Sequence, residues 1–530
     1  MAKETAAPQA VAEKIAAGYV AKGAALGLGA VVLDGTAYPE APITLPLEMM
    51  NRHGLVAGAT GTGKTRTLQL MAEQLSAAGV AVVLADIKGD LSGLAVPGTS
   101  NDKITERAGQ TGITWTPSAF PTEFLALGGL GTGVPVRATM SSFGPTLLSK
   151  VLGLNDTQES SLGLVFHYAD KAGLPLLDLK DLRSVITYLV SDQGKGDLKE
   201  LGGLSSSTAG VILRSLITLS DNGGDVFFGE PEWEPADLIR TAANDRGVIS
   251  SVELAAVQDK PQLFSTFLMW LLADLYQELP EVGDMDKPKL VFFFDEAHLL
   301  FNGATKAFLD AVTQTVRLIR SKGVGIFFVT QVPSDVPDSV LGQLGNRVQH
   351  ALRAFTPDDA AALRKAVRTY PKTEDYDLAS LLTQMGTGEA VVTVLSEKGA
   401  PTPVAWTRLR PPMASMGPMD AAAQQQAVTA STLQPKYGQA VDRESAYEKL
   451  AARLAPPPAP EPTPPAAPAP TQDAPKPKPA PKPAPKKRAD DGVIGGILKS
   501  AAVTSFARSA GTQLAREFSR TIFGIGKRKR

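Results

Sequence analysis

The sequence contains no cysteine and only four histidines in 530 residues. Disulfide frameworks and thiolate metal sites are therefore excluded, and the histidines do not have the spacing of a metal site. The absence of cysteine fits a reducing compartment, and we expect a cytoplasmic protein.

Long hydrophobic runs are also missing. The most apolar N-terminal stretch, residues 18–33, is interrupted by Lys22 and is rich in Gly and Ala. No basic region directly precedes a continuous apolar core. We therefore expect neither a signal peptide nor a membrane span.

Neither positive nor negative charge is in clear excess over the whole chain, but the charges are distributed unevenly along it. The net charge is −1, yet residues 471–530 carry 14 Lys and Arg against 4 Asp and Glu, a net of +10. Residues 1–470 are thus left with −11. Nucleic-acid binding cannot be inferred from overall charge and would need a local basic surface or the tail.

Short apolar runs alternate with helical patterns. Apolar residues at 53–57, a Gly-rich loop, an amphipathic stretch over 64–78 and an apolar run over 80–85 predict strand, loop, helix and strand. Further strands are predicted at 290–294, 324–330 and about 347–354, with a closing hairpin over 389–395 and 403–408. Continuous apolar runs are typical of parallel strands covered on both faces, so we predict an α/β fold with a mainly parallel central sheet.

The pattern also predicts the domain organisation. We expect residues 1–50 to be an N-terminal lead-in and residues 51–412 to form the sheet domain. A helical insertion is expected over about 139–285, although its run at 247–252 has the pattern of a strand. We expect a helical extension over 413–454, a disordered Pro/Ala/Lys-rich linker over 455–489, and a basic amphipathic helix over 490–530.

One motif points to a nucleotide. The loop between the first predicted strand and helix fits the pattern G-x-x-x-x-G-K-[ST]; it reads Gly58, Ala59, Thr60, Gly61, Thr62, Gly63, Lys64, Thr65. Its glycines allow backbone N–H groups to turn towards a phosphate, and the helix N-terminus adds partial positive charge. Lys64 can reach the β- and γ-phosphates, and the Thr65 hydroxyl can bind Mg²⁺. We predict that this loop and the following Arg66 bind ATP with Mg²⁺; a Gly-rich turn without nucleotide is the structural alternative.

Two adjacent carboxylates follow the predicted strand 290–294. Ligands bind at the carboxyl ends of strands in open α/β sheets. We predict that Asp295 holds Mg²⁺ and that Glu296 orients and deprotonates the attacking water. A small-molecule kinase has little use for such a glutamate, so hydrolysis is favoured over phosphoryl transfer. The alternative is an ordinary solvated acidic pair.

A glutamine and several arginines extend the candidate site. Gln331 ends the predicted strand 324–330, where it is either a sensor of the γ-phosphate or the start of the turn at Pro333. Arg320 is our first candidate for an arginine finger, which can act on a neighbouring subunit. The other candidates are Arg317, Arg347 and Arg353. Each of these is also compatible with an ordinary ion pair.

Three charged residues follow the second predicted strand: Asp86, Lys88 and Asp90. They could contact the nucleotide or couple the site to a substrate. Charged loop residues are more often merely solvated, so both interpretations stay open.

Whole segments are similar to a bacterial family of HerA-like P-loop ATPases in the HerA and FtsK superfamily. The similar segments are 51–65, 85–93, 295–298 and 344–353, within a resemblance that covers about 18–412. The resemblance implies a RecA-like fold, hexameric rings, a sensor glutamine on a strand and an arginine finger before that strand. Those two roles fall on Gln331 and Arg320. The small N-terminal β-barrel of archaeal HerA helicases has little room in residues 1–50.

Two functions are compatible with these features. The first is a ring-shaped ATPase motor that translocates DNA or acts like a helicase, as superfamily members typically pump DNA. The second is a non-motor ATP-dependent switch or assembly protein that acts on a protein partner or at the membrane surface. The basic tail could bind nucleic acid, an anionic membrane or a protein, including a second copy of the chain, or be disordered without function.

Overall fold

The computed structural model describes residues 7–198, 202–283, 285–302 and 304–454. The predicted linker and tail helix lie outside the described residues. Within them, one sheet contains twelve strands. The strands are β1 (Ala25–Leu33), β2 (Thr36–Pro46), β3 (Gly54–Ala57), β4 (Ala81–Asp86), β5 (Thr122–Leu127), β6 (Val134–Val136), β7 (Ile249–Glu253), β8 (Leu290–Phe294), β9 (Val324–Thr330), β10 (Asn346–Gln349), β11 (Glu389–Thr393) and β12 (Ala405–Leu409).

Helices cover both faces of this sheet. They are α1 (Pro8–Ala17), α2 (Lys64–Ala77), α3 (Asp102–Gln110), α4 (Met140–Val151), α5 (Asp156–Lys171), α6 (Leu179–Val190), α7 (Ser206–Leu219), α8 (Asp225–Phe227), α9 (Pro261–Glu278), α10 (His298–Phe301), α11 (Lys306–Ile319), α12 (Asp338–Leu341), α13 (Pro357–Val367), α14 (Leu378–Gln384), α15 (Ala421–Thr429), α16 (Gln434–Tyr437) and α17 (Ala446–Leu454). Over the described residues, no helix is both long and apolar enough to cross a membrane.

The strand order is β2-β1-β12-β11-β10-β3-β9-β8-β4-β7-β5-β6. All neighbours from β10 to β6 are parallel. The strands from β10 to β2 pair antiparallel. The predicted α/β fold with a mainly parallel sheet is confirmed.

The central strands are buried from both sides, which explains their continuous apolar runs. Every residue of β8 is buried. Its side chains alternate between two cores: Phe292 and Phe294 pack with the insertion helices, whereas Phe293 packs with α1, α2 and the N-terminal strands. A strand held on both faces fixes the position of whatever follows its last residue.

Side chains close in sequence cap two helices of the insertion. Asn155 accepts a hydrogen bond from the Gln158 N–H, and the Gln158 side chain completes a capping box. Ser205 likewise caps α7 by accepting from the Thr208 N–H. The insertion is not purely helical, because β7 returns to the sheet between β4 and β5.

The expectation of a separate lead-in over residues 1–50 needs correction. β1 and β2 form a hairpin that extends the sheet through β12. The strand signal is weak because β1 contains glycine and β2 contains proline. Gly29 lies so close to β12 that an added Cβ would stand 1.9 Å from the Arg408 carbonyl oxygen. The prolines are tolerated because β2 is an edge strand.

Candidate active site

The predicted loop, glutamine and carboxylates meet at one edge of the sheet. β9 lies between β3 and β8. The Gly58 N–H donates to the Thr330 carbonyl at 3.2 Å, and the Ala297 N–H donates to the Val329 carbonyl at 2.9 Å. Because these strands are parallel, the residues after their carboxyl ends share a single surface.

The loop after β3 has the backbone that its glycines permit. Gly58, Gly61 and Gly63 have φ of 156°, 79° and 114°. A Cβ on Gly58 would stand 2.4 Å from the His350 Cβ, so only glycine fits there. Lys64 begins α2, and its ammonium donates to the carbonyls of Gly58 at 2.6 Å and Ala59 at 3.2 Å.

Polar residues from distant segments hold this loop in place. His350 is fully buried, and its Nε2 lies 2.8 Å from the Thr67 hydroxyl. Burial, followed by the charge of Lys64, lowers the pKa of His350 to about 4. On the other side, the Gly388 N–H donates to the Thr62 carbonyl at 2.9 Å, while Arg107 donates to the Gly388 carbonyl at 3.1 Å.

Sequence reasoning missed these supports. They are separated from the loop by long stretches of chain, so no local pattern indicates them. The one available signal was that His350 belongs to a segment shared with the HerA-like family.

The other predicted nucleotide ligands lie in the loop or the first turn of α2. Thr60 and Gly61 are exposed, and Thr65 is half-buried. The Thr62 hydroxyl donates to the Ala59 carbonyl at 2.7 Å. Arg66 donates to Gln69 at 3.2 Å along α2. The loop is thus internally bonded while its tip remains open.

Asp295 has the character of a cation ligand. It is 1% exposed, and its Oδ1 accepts from the Glu296 N–H at 3.0 Å. Its Oδ2 is buried and has no hydrogen-bond partner among the described residues. Burial raises the pKa of Asp295 to about 6, against the lowering charge of Lys88. A buried carboxylate oxygen without a donor is the ligand type that Mg²⁺ takes, so this side chain fits the ion that the loop implies.

Among the described residues, Glu296 accepts a side-chain hydrogen bond on one of its two oxygens. Its Oε1 accepts from the Lys88 ammonium at 2.5 Å, and its Oε2 lies 3.2 Å from the His298 Nδ1. Burial opposes its charge, but the hydrogen bond and charge of Lys88 outweigh burial and lower the pKa of Glu296. The residue has a φ of 47°, an uncommon conformation for a non-glycine residue. This backbone turns the carboxylate towards the loop after β4.

The loop after β4 is built by Asp86. Its carboxylate is fully buried and accepts from the N–H groups of Gly89 at 2.8 Å and Leu91 at 2.9 Å. The interpretation of Asp86 as a solvated loop residue is therefore wrong. By shaping this turn, Asp86 places Lys88 beside Glu296. The Asp90 Oδ1 is buried without a hydrogen-bond partner among the described residues.

Gln331 directly follows β9 and is exposed at the shared edge. The turn after it is held by Asp335, whose Oδ2 accepts from the Thr330 hydroxyl at 2.6 Å and the Val332 N–H at 3.1 Å. Asp335 also contributes to the electrostatic environment of Lys64. Sequence reasoning located Gln331 but missed Asp335.

Arg320 lies at the opposite edge of the sheet. It begins the single 3₁₀ turn that precedes β9. Burial, and then the charges of Arg320 and Arg52, lower the pKa of His53 to about 4. His53 immediately precedes β3, whereas the loop Gly58–Thr65 follows the opposite end of that strand. The seven residues of β9 span about 20 Å, so Arg320 cannot reach the loop of its own chain.

Arg347 is also held away from the loop. It lies near the start of β10, paired with Leu55, and donates to the Thr369 hydroxyl at 2.8 Å. Arg353, in contrast, is exposed after β10, on the same side of the sheet as the loop. The structure therefore does not bring Arg320 and Arg347 to the site formed by Gly58–Thr65 and Asp295–Glu296.

The model of the Helicase HerA-like C-terminal family matches residues 32–530. This chain belongs to that HerA-like family. The HerA-like chain is also 30% identical over 125 residues to the "Probable helicase MJECL08" of Methanocaldococcus jannaschii. That match covers 23% of the chain and 22% of the relative, so the chain spans less than a quarter of that helicase.

Two solved structures resemble the HerA-like chain. Plasmid coupling protein TrwB, bound to a non-hydrolysable ATP analogue, aligns with a TM-score of 0.50 and 16% identity over 77% of this chain and 94% of TrwB. VirB4 of Thermoanaerobacter pseudethanolicus aligns with a TM-score of 0.48 and 14% identity over 77% of this chain and 99% of VirB4. The TrwB match shows a shared fold. Together with the family match, the geometry of the Gly58–Thr65 loop assigns the HerA-like chain to the P-loop ATPases.

Proposed function

We propose that this ATPase works as a ring of identical subunits that moves DNA, each subunit completing the ATP site of its neighbour. The position of Arg320 carries this proposal. An arginine about 20 Å from its own phosphate loop, at the opposite edge of the sheet, can serve as a finger only in another subunit's site. A head-to-tail interface of that kind closes into a ring.

Within one subunit, the geometry suggests a role for each group. The N–H groups of the loop Gly58–Thr65 bind the phosphates, and the Lys64 ammonium turns from the Gly58 carbonyl to the β- and γ-phosphates. Arg66 borders the nucleotide at the first turn of α2. Thr65 and Asp295 hold Mg²⁺, which neutralises phosphate charge when bound.

Hydrolysis needs a group that orients water. Glu296, at the end of β8, positions the attacking water and takes its proton once its carboxylate is released from Lys88. Gln331, at the tip of β9, contacts the γ-phosphate side of the site and senses its loss. Arg320 of the adjacent subunit stabilises the charge of the transition state.

DNA is the substrate that the relationships favour. The family is described as helicase-like, one relative is named a helicase, and TrwB is named a plasmid coupling protein. The charge of −11 on residues 1–470 requires that DNA contact a local basic surface or the tail at 471–530. A translocating ring would expose such a surface in its pore.

The direct test measures ATP hydrolysis at low salt with and without single- and double-stranded DNA, in wild type and Glu296→Gln. We expect DNA to increase the wild-type rate in a salt-sensitive manner and to leave Glu296→Gln inactive. Light scattering after gel filtration should give a hexamer with nucleotide. A monomer with a DNA-independent rate would contradict the motor.

The acidic charge of residues 1–470 disfavours DNA contact by that part of the chain and so favours a second candidate, an ATP-dependent switch that acts on a protein or, through the basic residues 471–530, at a membrane surface. The discriminating experiment is deletion of residues 455–530. Loss of a bound partner or of vesicle binding, with unchanged ATP hydrolysis, would support the switch. Loss of DNA stimulation would support the motor and assign DNA contact to the tail.

A further inference from the structure

Two lysines, Lys64 and Lys88, have their charges near Glu296. Lys64 comes from the loop and donates to the Gly58 and Ala59 carbonyls. Lys88 comes from the turn after β4 and donates to Glu296 at 2.5 Å. The side chain of Lys88 remains 44% exposed, whereas that of Glu296 is only 10% exposed. The ammonium therefore covers the glutamate from the open side of the site.

The backbone around Lys88 and around Glu296 fixes the positions of both members of the pair. Asp86 fixes the turn that carries Lys88 through hydrogen bonds from Gly89 and Leu91. Gly89 has a φ of 73°, and Glu296 has a φ of 47°. Glycine adopts such a φ without steric cost, whereas the φ of Glu296 is uncommon for a residue with a side chain. An uncommon conformation of this kind persists where the surrounding structure enforces it, so the fold holds Glu296 in position for the contact.

The pairing leaves Glu296 without an oxygen that is both accessible and free of a hydrogen bond from the described part of the chain. Its Oε1 accepts a hydrogen bond from Lys88, whereas its Oε2 is buried and has no hydrogen-bond partner among the described residues, with the His298 Nδ1 3.2 Å away. A general base must be within hydrogen-bond reach of the proton it takes. Because Oε2 is buried, water reaches the carboxylate through Oε1, and Lys88 has to leave Oε1 before Glu296 can act as the base.

We propose that Lys88 is a second phosphate-binding lysine that exchanges Glu296 for the γ-phosphate of ATP and so releases the base only when a triphosphate is present. ADP has no γ-phosphate and leaves the Lys88–Glu296 pair intact. The role of Lys88 rests on the ATP site of the proposed function. The exchange of partners makes Lys88 a determinant of the binding preference for ATP over ADP and also a restraint on hydrolysis.

The test is calorimetric titration of Lys88→Met with ADP and with a non-hydrolysable β,γ-imido ATP analogue, both with Mg²⁺. Loss of a charge-assisted hydrogen bond should weaken binding of the analogue by about tenfold. ADP binding should change by less than about twofold because its phosphates do not reach Lys88. Equal losses for the two nucleotides, or no loss for either, would overturn the proposal.

Two further variants serve as controls. Lys88→Arg keeps the charge and should retain most of the preference for the analogue. Lys372→Met removes an exposed lysine outside the site and should bind both nucleotides like wild type. A Lys88→Arg protein as defective as Lys88→Met would count against charge as the cause.

Thermal unfolding of Lys88→Met, Glu296→Gln and the double variant, all without nucleotide, tests the Lys88–Glu296 ion pair itself. Lys88→Met leaves the Glu296 carboxylate without its partner and should lower the melting temperature. The double variant should recover part of that loss, because no charge is then left unpaired. Strictly additive changes would contradict a Lys88–Glu296 pair.

Failure of the two proposals can be told apart. A wild-type protein that binds the analogue but hydrolyses no ATP would refute the proposed ATPase motor. The ratio of analogue to ADP affinity in Lys88→Met would still decide the role of Lys88. Conversely, active ATP hydrolysis with an unchanged ratio would refute the role of Lys88 alone.

Discussion

At the scale of single residues, Glu296 carries the largest expected effect. Glu296→Gln keeps the size and removes the base, so kcat should fall by about 10²–10⁴-fold while nucleotide affinity is retained. Steady-state hydrolysis and titration of a fluorescent ATP analogue measure the two quantities. A variant with a wild-type rate would exclude Glu296 as the base.

Gly58 tests the conformation of the phosphate loop. Gly58→Ala places a Cβ 2.4 Å from the His350 Cβ at a φ of 156°, which should cost about 2–5 kcal/mol and abolish nucleotide binding. Gly163→Ala is the matched control: this glycine lies inside α5, and an added Cβ meets nothing within 4 Å. It should stabilise the protein by about 0.5–1 kcal/mol. Melting temperatures that fall equally in both variants would contradict this difference.

At the scale of elements, α2 connects the nucleotide loop to a distant segment. Its first residue is Lys64. Further along, Glu73 is 1% exposed and accepts from the N–H groups of Met413, at 2.9 Å to each oxygen, and of Ala414 at 3.2 Å. The helix that holds the phosphates therefore also anchors the chain that leaves the sheet towards α15.

Glu73 should make stability depend on pH. Burial raises the pKa of Glu73 from 4.5 to about 7, although the hydrogen bonds from Met413 and Ala414 lower it. The folded state thus holds a proton that the unfolded chain releases, so this stabilisation is complete below pH 4.5 and is lost as the pH rises to about 7. The free energy of unfolding should decrease by up to about 1.4 kcal/mol per pH unit within that window.

Glu73→Gln cannot ionise and should show a shallower decline in melting temperature between pH 5 and pH 7. Glu253→Gln is the comparison, because burial also raises the pKa of Glu253 to about 7. Either variant should remove only its own part of the slope. An unchanged slope in Glu73→Gln would show that this carboxyl group is ionised in the folded protein.

At the scale of the whole molecule, the parallel strands separate two groups of candidate residues, one at their carboxyl ends and one at their amino ends. The loop and Glu296 lie at one edge, and Arg320 lies at the other. Arg320→Ala and Glu296→Gln should each be inactive alone. In an equal mixture, roughly a quarter of the sites should combine an intact Glu296 with a neighbour's intact Arg320, and hydrolysis should recover accordingly.

The mixed-subunit experiment has its own control. Arg347 donates to Thr369 of its own chain, so Arg347→Ala should keep most of its activity without a partner variant. No recovery in the mixture of Arg320→Ala with Glu296→Gln would contradict a site shared between subunits. An inactive Arg347→Ala protein that recovers activity when mixed with Glu296→Gln, while the Arg320→Ala mixture does not, would assign the finger to Arg347.

The sequence by itself determined the features that depend on local spacing. The loop 58–65, the strands 290–294 and 324–330, and the caps at Asn155 and Ser205 follow from residues close together in the chain. Turns, helix N-termini and apolar periodicity are local properties, so they can be predicted from the sequence alone. The α/β class and the edge that holds Asp295, Glu296 and Gln331 follow from the same patterns.

Tertiary structure alone decided which distant residues meet. Lys88 and Glu296 are 208 positions apart, and their contact depends on β4 lying beside β8. The place of the β1–β2 hairpin in the sheet depends likewise on the pairing of β1 with β12. Strand order also put Arg320 at the edge away from its own loop. No local pattern encodes strand order, because it results from the packing of the complete sheet.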